Sequence, residues 1–314
     1  MADTVNAKWA DVKPQLSVLI PFLRDDPTPL LTALSREGDQ LATRVEVVVL
    51  DDGTNSTSLT DDLKALIAAL PLAARLITRT DNLGRAKGRN LLAEHARGSH
   101  LLFLDADMMP DSPRFLSTWL DLVEQSDLPV AFGGFSLLQA STHKAFRVHR
   151  AMALRSDCLP AEVRQQQAEK HLFTSNLLIR RDVFDAHAFD DSFNGWGWED
   201  VEWSMRISAL HTIAHPDIPA THMGLDTVDA LLKKYRQSAP NFARVAGLHP
   251  EIVGAYPSYR AATAIKDRHM ALPVALVAEV MARTEWLPVR LRAFSLRVFR
   301  AALYAQALSK DERS

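Results

Sequence analysis

Two acidic residues separated by one alanine form the motif in this sequence that points most directly to chemistry. Asp105 and Asp107 come directly after an apolar segment at residues 100–104. An alternating Asp-x-Asp at the end of a strand lets both carboxylates approach one hard divalent cation, directly or through water. Oxygen ligands of this kind suit Mg²⁺ or Mn²⁺, which keep coordination positions open for phosphate oxygens. The motif therefore predicts a divalent-metal site with a phosphate-containing ligand, although Asp-x-Asp also occurs by chance.

Basic residues that could bind a phosphate group precede this motif in the sequence. Neither of the familiar phosphate loops, G-x-G-x-x-G and G-x-x-x-x-G-K-[ST], occurs in the sequence. Residues 81–90 instead place Arg85, Lys87 and Arg89 at the start of a predicted helix, where backbone N–H groups and the helix dipole favour anions. A solvated basic helix is the alternative interpretation of the same residues.

A third segment combines aromatic and acidic residues, since residues 195–200 read Gly-Trp-Gly-Trp-Glu-Asp. Trp196 and Trp198 stand beside glycines and would form a flat apolar surface on a flexible loop, on which sugar rings stack well. Glu199 and Asp200 fall in the first turn of a predicted helix, where acids are favourable in any protein. The functional alternative is that one of the two acids is a general base next to a carbohydrate-binding surface.

The elements that position these motifs alternate between apolar strands and helices. Strands are predicted at 16–22, 45–50, 74–78 and 100–104, and helices at 59–70, 84–97 and 112–124. This alternation indicates an α/β fold with a parallel sheet covered on both faces by helices. Ligands bind such sheets at the carboxyl ends of the strands, which here are followed by polar or acidic residues at 21–26, 51–53 and 105–107. Each acid alone is often only a turn former or a helix cap.

The regular alternation ends after residue 128. Residues 140–170 are polar and are predicted to be helical or loop-like, and they are followed by strands at 173–179 and 218–222 and a helix from 199 to about 209. Amphipathic helices are then predicted at 228–237 and 288–308.

Length and composition exclude several classes of protein. The chain has 314 residues, 47% of them apolar, which suits one large or two modest globular domains and excludes a disordered chain. The single cysteine, Cys158, excludes a disulfide scaffold and a cysteine zinc cage. No stretch of about 18 uncharged apolar residues is present, and the acidic N-terminus lacks the apolar segment of a signal peptide. We therefore expect a cytoplasmic protein.

Charge is distributed unevenly although the net charge is only −2. The whole chain contains 36 basic and 38 acidic residues. Of these, 14 basic and 8 acidic residues lie in residues 226–314, and the other 22 basic and 30 acidic residues lie in residues 1–225. An acidic body with a basic C-terminal region argues against nucleic-acid binding, which usually spreads positive charge over the binding domain.

Five motifs in this order resemble those of the GT-A glycosyltransferases of family two, over about residues 14–225. They are Ser-Val-Leu-Ile-Pro at 17–21, Val-Leu-Asp-Asp-Gly-Thr at 49–54, Asn-Leu-Gly at 82–84 with Arg-Asn at 89–90, Phe-Leu-Asp-Ala-Asp at 103–107, and residues 195–200. The last segment is also similar to the acceptor-side loop of the β-1,4-galactosyltransferases. The resemblance implies a GT-A (Rossmann-like) catalytic domain at 1–225, with a nucleotide-binding half at about 14–127 and an acceptor-binding half at about 128–225, followed by a helical region at 226–314.

The resemblance implies a role for each matching residue on the donor side. Asp52, or its neighbour Asp51, matches the acid that bonds the uracil of a UDP donor. Asp105 and Asp107 match the motif through which a metal ion bridges to the diphosphate, and His222 resembles the third metal ligand of some relatives, although a lone histidine is more often structural. The other donor-side residues are Pro21, Asn82, Lys87 and Arg89. The implied cofactor is Mn²⁺ or Mg²⁺.

On the acceptor side, Asp200 matches the catalytic base and Glu199 matches a residue that binds the acceptor. The resemblance extends this acceptor-binding role to Trp196 and Trp198. One segment departs from the family's pattern: after the first strand, residues 22–24 read Phe-Leu-Arg where the family usually has a small or aromatic residue and Asn. No base or ribose contact is expected from that loop.

The implied reaction is a metal-dependent, inverting transfer of a hexosyl or N-acetylhexosaminyl group from a nucleotide sugar, with UDP favoured by the resemblance alone. The acceptor would be a hydroxyl of a glycan or a lipid-linked saccharide in bacterial-type surface polysaccharide synthesis. A sugar-nucleotide nucleotidyltransferase is disfavoured because the loop at 22–29 contains no glycine. A non-catalytic carbohydrate-binding or scaffold protein of the same fold is disfavoured because all four acids, at 105, 107, 199 and 200, are present.

The basic C-terminal helix has two interpretations. One predicted face is apolar and another is basic, formed respectively by Leu287, Leu291, Phe294, Val298, Ala302 and Ala305, and by Arg290, Arg297 and Arg300. Such a helix can lie on the anionic inner face of a membrane, near lipid-linked acceptors. Alternatively it packs on the catalytic domain, or on a second subunit in a homo-oligomer.

Overall fold

The computed structural model describes residues 2–311 and contains eleven strands within that range. The strands are β1 Ala2–Val5, β2 Leu16–Phe22, β3 Val45–Asp52, β4 Ala73–Arg79, β5 His100–Leu104, β6 Met108–Pro110, β7 Val130–Phe132, β8 Phe135–Ser136, β9 Asn176–Arg180, β10 Ile213–Ala214 and β11 Ala220–His222.

Helices occupy most of the remaining described chain, together with two short 3₁₀ turns at Lys144–Phe146 and Ala168–His171. The helices are α1 Thr28–Ser35, α2 Gly38–Leu41, α3 Thr57–Ala69, α4 Arg85–His95, α5 Phe115–Gln125, α6 Arg147–Ser156, α7 Ala161–Gln165, α8 Arg181–Ala186, α9 Glu199–Ser208, α10 Val228–Leu248, α11 Pro250–Gly254, α12 Pro257–Asp267, α13 Ala271–Arg283 and α14 Val289–Asp311.

The central sheet has the strand order β1-β4-β3-β2-β5-β9-β7-β10 among the described residues. Strands β4, β3, β2 and β5 run parallel, whereas β1 is antiparallel to β4, and β9 is antiparallel to both β5 and β7. A smaller sheet of order β6-β11-β8 pairs β11 antiparallel with β6. The four parallel strands place their carboxyl ends along one edge, where Asp51, Asp52 and Asp105 lie.

Alternation along the strands explains why helices cover both faces of the sheet. In β3, Val47 and Val49 belong to one hydrophobic cluster and Val48 and Leu50 to another, because successive side chains point to opposite faces. The first cluster includes buried residues of α1, α3 and α5, and the second includes those of α4 and α8. The predicted mostly parallel α/β sheet with helices on both faces and C-terminal helices is confirmed.

Contacts divide the described chain into two units, which are treated separately below. The first unit contains residues 2–140, 157–192 and 203–224, with all the strands, and the second contains residues 141–156, 193–202 and 225–311. The domain boundary predicted after residue 225 lies one residue from the point, between residues 224 and 225, at which the first unit ends and the second resumes. The segment 193–202, which carries the Gly-Trp-Gly-Trp-Glu-Asp motif, groups with the C-terminal helices rather than with the sheet.

The second unit is a helical bundle with its own core. Leu232 of α10, Ala278 of α13 and Phe299 of α14 belong to one buried cluster. The predicted apolar face of α14 is only partly available at the surface, since Ala302 and Ala305 are fully buried while Phe294 is 60% exposed. Within residues 2–311, no helix combines the length and hydropathy needed to cross a bilayer.

Candidate active site

The two acids at the end of β3 bond to nearby backbone groups. Asp52 accepts hydrogen bonds from the backbone N–H groups of Leu83 and Gly84, at 2.9 and 3.1 Å, and so fixes the loop that precedes α4. Asp51 accepts from the N–H of Thr54 at 2.8 Å, which closes the turn after the strand. Burial raises the pKa of the Asp52 carboxyl above its ordinary value, although the two backbone bonds and the charge of Arg79 act in the opposite direction.

The predicted donor-side residues of the segment 81–90 separate into exposed and buried groups. Asn82 and Lys87 are exposed, whereas Arg89 is only 1% exposed. The helix α4 begins after Gly84, whose φ of 86° lies in the left-handed region that favours glycine. Pro21, in β2, is half-buried. The basic segment is therefore not one solvated face, because one of its three arginine and lysine side chains turns into the protein.

Arg89 reaches the first acid of the Asp-x-Asp motif. Its Nη2 donates to Asp105 Oδ1 at 2.8 Å, and the Ser175 hydroxyl donates to Asp105 Oδ2 at 2.7 Å. Burial by itself would raise the pKa of Asp105, but the charges of Arg89 and Arg85 and the hydrogen bonds from Ser175 and Arg89 outweigh it and hold the pKa below its ordinary value. Both oxygens of Asp105 are therefore engaged by protein donors.

The second acid of the motif lies beside the predicted histidine. His222 Nε2 is 3.1 Å from Asp107 Oδ2, and both side chains are 31% exposed. Strand pairing brings them together, because His222 in β11 is opposite Met108 in β6 and the N–H of Met223 donates to the Asp107 carbonyl at 2.9 Å. A β-carbon at Gly224 would overlap the Asp107 carboxylate. Residue 224 is therefore required to be small.

The Asp107 and His222 side chains can be compared with the ligands that a divalent cation requires. A carboxylate and an imidazole on adjacent, partly exposed side chains are ligands that Mn²⁺ accepts, and Mg²⁺ prefers the oxygen donors. The described residues hold no cluster of three His, Cys, Asp or Glu side chains arranged to bind a metal ion. The structure thus brings Asp107 and His222 together and leaves Asp105 with Arg89, so a cation at this pair would take its remaining ligands from a bound molecule or water.

The acceptor-side segment belongs to the second unit and has an unusual backbone. Gly195, Gly197 and Trp198 all have positive φ, of 78°, 83° and 78°. Such a conformation is rare for a bulky residue and costs of order 1–3 kcal/mol, so the surroundings must hold it in place. Asn241 of α10 does so in part, because its amide donates to the carbonyl oxygens of both Asn194 and Gly197 at 2.8 Å.

The two tryptophans of this segment occupy different surroundings. Trp198 packs on Phe242 with ring centroids 5.1 Å apart, and its Nε1 donates to the Tyr304 hydroxyl at 3.0 Å. Trp196 is half-buried beside the helical core, with Lys234 Nζ 5.6 Å from its ring centroid. The N–H group of Trp198, and part of its ring surface, are thus used within the protein.

The two acids after these tryptophans begin α9. Glu199 is buried at 3% exposure and Asp200 is half-buried, and Asp200 Oδ1 accepts from the N–H of Val201 at 2.9 Å. This bond holds the carboxylate at the start of the helix, where the dipole favours negative charge.

Several contributors to the site were not predicted from the sequence. The local sequence gives no indication that Ser175, Arg79 or Tyr304 contributes to the site, because each of them interacts with a residue far away along the chain. Gly224 lies two residues after the predicted histidine and outside β11, and only the position of the Asp107 carboxylate shows that a small residue is needed there.

Solved structures of other proteins share this fold. The mannosyltransferase PcManGT from Pyrobaculum calidifontis, in complex with GDP-Man and Mn²⁺, has a TM-score of 0.61 at 15% identity, over 94% of this chain and 87% of that one. S. aureus TarS 1–349 in complex with UDP has a TM-score of 0.53 at 14% identity, over 95% and 91%. The same protein in complex with UDP-GlcNAc has a TM-score of 0.50 at 16% identity, over 95% and 92%. At these identities the likeness concerns the fold, which is of the GT-A type.

A family model gives the closer assignment. The model described as Glycosyl transferase family 2 matches residues 17–187, which include both β3 and the Asp-x-Asp motif. That range is more than half of the chain, and the protein therefore belongs to glycosyl transferase family 2.

Proposed function

We propose that this family 2 glycosyltransferase is a metal-dependent, inverting enzyme that moves a sugar from a nucleoside-diphosphate sugar to a hydroxyl group of a glycan or a lipid-linked saccharide. The observation that carries the proposal is the placement of Asp107 beside His222 next to the carboxyl edge of the sheet, with Asp105 held by Arg89. Ligands bind at this edge in open α/β sheets.

The donor is a nucleotide sugar, and UDP is the favoured nucleotide because Asp52 matches the uracil-binding acid of the family. The structural neighbours bind GDP-Man in one case and UDP and UDP-GlcNAc in the other. In this chain Asp52 already bonds to the backbone of Leu83 and Gly84. It would therefore act on the base partly by fixing that loop, and the exposed side chains of Asn82 and Lys87 are available to the rest of the donor.

Asp107 and His222 would hold a divalent cation, Mn²⁺ or Mg²⁺. When bound, the cation neutralises the negative charge that develops on the departing diphosphate, the type of electrostatic help that is usually dominant. Arg89 has a separate task in this scheme. Its guanidinium neutralises Asp105, so that the half-buried carboxylate of that residue does not repel the donor phosphates.

Asp200 would remove the proton from the acceptor hydroxyl, which then attacks the anomeric carbon from the side opposite the diphosphate. A single displacement of this kind inverts the configuration. Glu199 and Trp196 would bind the acceptor sugar, as the resemblance of residues 195–200 to the β-1,4-galactosyltransferase loop suggests. Trp198 would hold the loop in place through its ring contact with Phe242 and its hydrogen bond to Tyr304.

Calorimetry of UDP binding in the presence of Mn²⁺ tests the donor site. The variants Asp107→Ala and His222→Ala are each expected to abolish the metal-dependent part of UDP binding. Asp185→Ala, on the exposed side of α8, is the matched control and should bind like the wild type. Unchanged metal-dependent binding in Asp107→Ala would refute the assignment.

A second measurement separates an enzyme from a carbohydrate-binding protein of the same fold. Incubation with UDP-sugars and Mn²⁺ should release UDP, and NMR of the transfer product should show an inverted anomeric configuration. Binding of the donor without any release of UDP, in the presence of candidate acceptors, would favour the non-catalytic alternative.

A further inference from the structure

The helix α13 carries its large apolar side chains on the outside. Leu272, Leu276, Val277 and Val280 are 64%, 57%, 60% and 65% exposed. They lie at positions i, i+4, i+5 and i+8 and therefore share one face of the helix. The inward face of α13 is formed by small residues, since Ala275, Ala278 and Ala282 are buried. A helix of a water-soluble bundle normally shows the opposite distribution, with large apolar residues inside.

This exposed face continues into a groove between α13 and the first turns of α14. The groove has a volume of about 300 Å³ and is lined by Met270, Val274, Val277, Met281, Leu291 and Phe294, among others. Phe294 on α14 is itself 60% exposed, and Trp286 in the connection between the helices is 84% exposed. Indole rings with one apolar and one polar side are typical of the interface between a membrane and water. We call residues 270–298 of this helix pair the α13–α14 surface.

Basic residues frame the same surface. On α14, Arg290, Phe294 and Arg297 lie at i, i+4 and i+7, so the exposed aromatic ring stands between two exposed arginines on one face. Residues 268–300 contain six arginines and two glutamates. One of the two, Glu279, pairs with Arg236 of α10 at 2.6 Å and with Arg283 at 3.1 Å. The net charge around the surface is therefore positive.

From this combination we infer that the α13–α14 surface docks on an anionic lipid bilayer, with the apolar face of α13 and Trp286 entering the headgroup region. The arginines complement the negative charge of the lipids, to which basic residues near the membrane surface are attracted. An isologous contact with a second copy would bring two positively charged surfaces together and is disfavoured for that reason. With 13 residues, α13 is too short to span a bilayer, so the contact lies along the surface.

The docking face differs from the one predicted from the sequence. The sequence placed the apolar membrane face on the C-terminal helix, through Leu287, Leu291, Phe294, Val298, Ala302 and Ala305. Ala302 and Ala305 are buried in the bundle, whereas Leu291, Phe294 and Val298 line the groove beside α13. The surface inferred from the structure is formed mainly by α13 and by the exposed Phe294 at the beginning of α14. It involves none of the donor-side or acceptor-side residues of the proposed reaction.

Flotation of the intact chain with lipid vesicles tests the inference. The protein is expected to bind vesicles of phosphatidylcholine mixed with phosphatidylglycerol, and to bind pure phosphatidylcholine at least about tenfold less tightly, because the arginines favour anionic lipid. The double variant Leu276→Glu/Val280→Glu should weaken binding to the mixed vesicles by at least about tenfold, since it places charges on the inserted face. A second variant, Arg290→Glu/Arg297→Glu, tests the electrostatic part and should produce a similar loss.

Leu248→Glu is the matched control, because Leu248 is 49% exposed at the end of α10, outside the α13–α14 surface. It should bind the mixed vesicles like the wild type. All substituted residues are exposed, so the thermal unfolding of each variant should be nearly the same as that of the wild type. Each variant should also release UDP from a UDP-sugar like the wild type, because the surface contains none of the residues of the proposed reaction. Failure of the wild type to bind anionic vesicles, or equal binding by Leu276→Glu/Val280→Glu, would overturn the inference. So would light scattering that shows a dimer which this variant dissociates, because the occupant would then be a second copy.

Discussion

The indole N–H of Trp198 donates to the hydroxyl of Tyr304 across 106 residues of sequence, at 3.0 Å. Tyr304 lies in the last helix of the described chain and is 2% exposed, and its ring stacks on Phe242 at 3.9 Å between centroids. Trp198 has a positive φ and stands two residues before Asp200. The C-terminal helix therefore helps to hold the strained segment from which the proposed catalytic base projects.

Removing the hydroxyl of Tyr304 should loosen this segment without removing the ring. Tyr304→Phe is expected to lower the free energy of unfolding by about 1–3 kcal/mol, because the Trp198 N–H loses its acceptor in a partly buried position. Under the proposed function, Tyr304→Phe should also decrease kcat by a larger factor than it increases the KM for the donor. Chemical denaturation and steady-state kinetics measure the two effects. A variant with normal stability and normal kcat would show that the hydrogen bond does not position the segment.

Asp200→Asn should remove the base while leaving the donor site intact. We expect transfer to fall by at least about a hundredfold, the usual scale for loss of a general base. Binding of UDP in the presence of Mn²⁺ should remain at the wild-type level in calorimetry. Retained transfer would exclude Asp200 from the role, and a parallel test of Glu199→Gln would then decide whether its neighbour has it.

Gly224 and Gly247 form a matched pair for testing the geometry at Asp107. A β-carbon at residue 224 would overlap the Asp107 carboxylate, whereas one at residue 247 in α10 meets no atom within 4 Å. Gly224→Ala should therefore weaken metal-dependent UDP binding by displacing Asp107. Gly247→Ala should leave this binding unchanged and stabilise the helix by up to about 1 kcal/mol. Equal UDP binding by the two variants would contradict the close approach seen at Asp107.

His215 is expected to make stability depend on acidity. Burial, together with the charge of Arg164, lowers the pKa of His215 from 6.5 to about 4, while a backbone hydrogen bond to Ala168 opposes the shift. Arg164 Nε donates to Nδ1 at 3.3 Å, which fits the neutral ring. The unfolded chain binds the extra proton below pH 6.5, so stability is lost as the pH falls from 6.5 towards 4, by about 3 kcal/mol in total.

His215→Gln provides the comparison, because glutamine keeps a donor and an acceptor but does not titrate. Urea midpoints measured at neutral pH and at about pH 5 should fall less steeply in this variant than in the wild type. The same decrease in both proteins would assign the acid sensitivity to other groups.

The parts of the fold that depend on local pattern were predictable from the sequence. The bounds of β2 and β5 agree with the predicted strands at 16–22 and 100–104, because each is a mainly apolar segment bounded by polar or turn residues. The parallel sheet with helices on both faces followed from the alternation of such segments with helical ones. The strand β1 was not predicted, since residues 2–5 have no apolar pattern and are ordered by pairing with β4.

Residue types and order along the chain likewise determined which positions carry chemistry: the acids after β3 and β5, the basic start of α4, and the residues 195–200. Only the tertiary structure decided how these residues are paired. Arg89 turns inward to Asp105, Asp107 lies beside a histidine 115 residues away, and Trp198 bonds to the last helix. The reason is that a backbone pattern is set by neighbours within a few residues, whereas the direction and partner of a polar side chain are set by which distant elements pack against it.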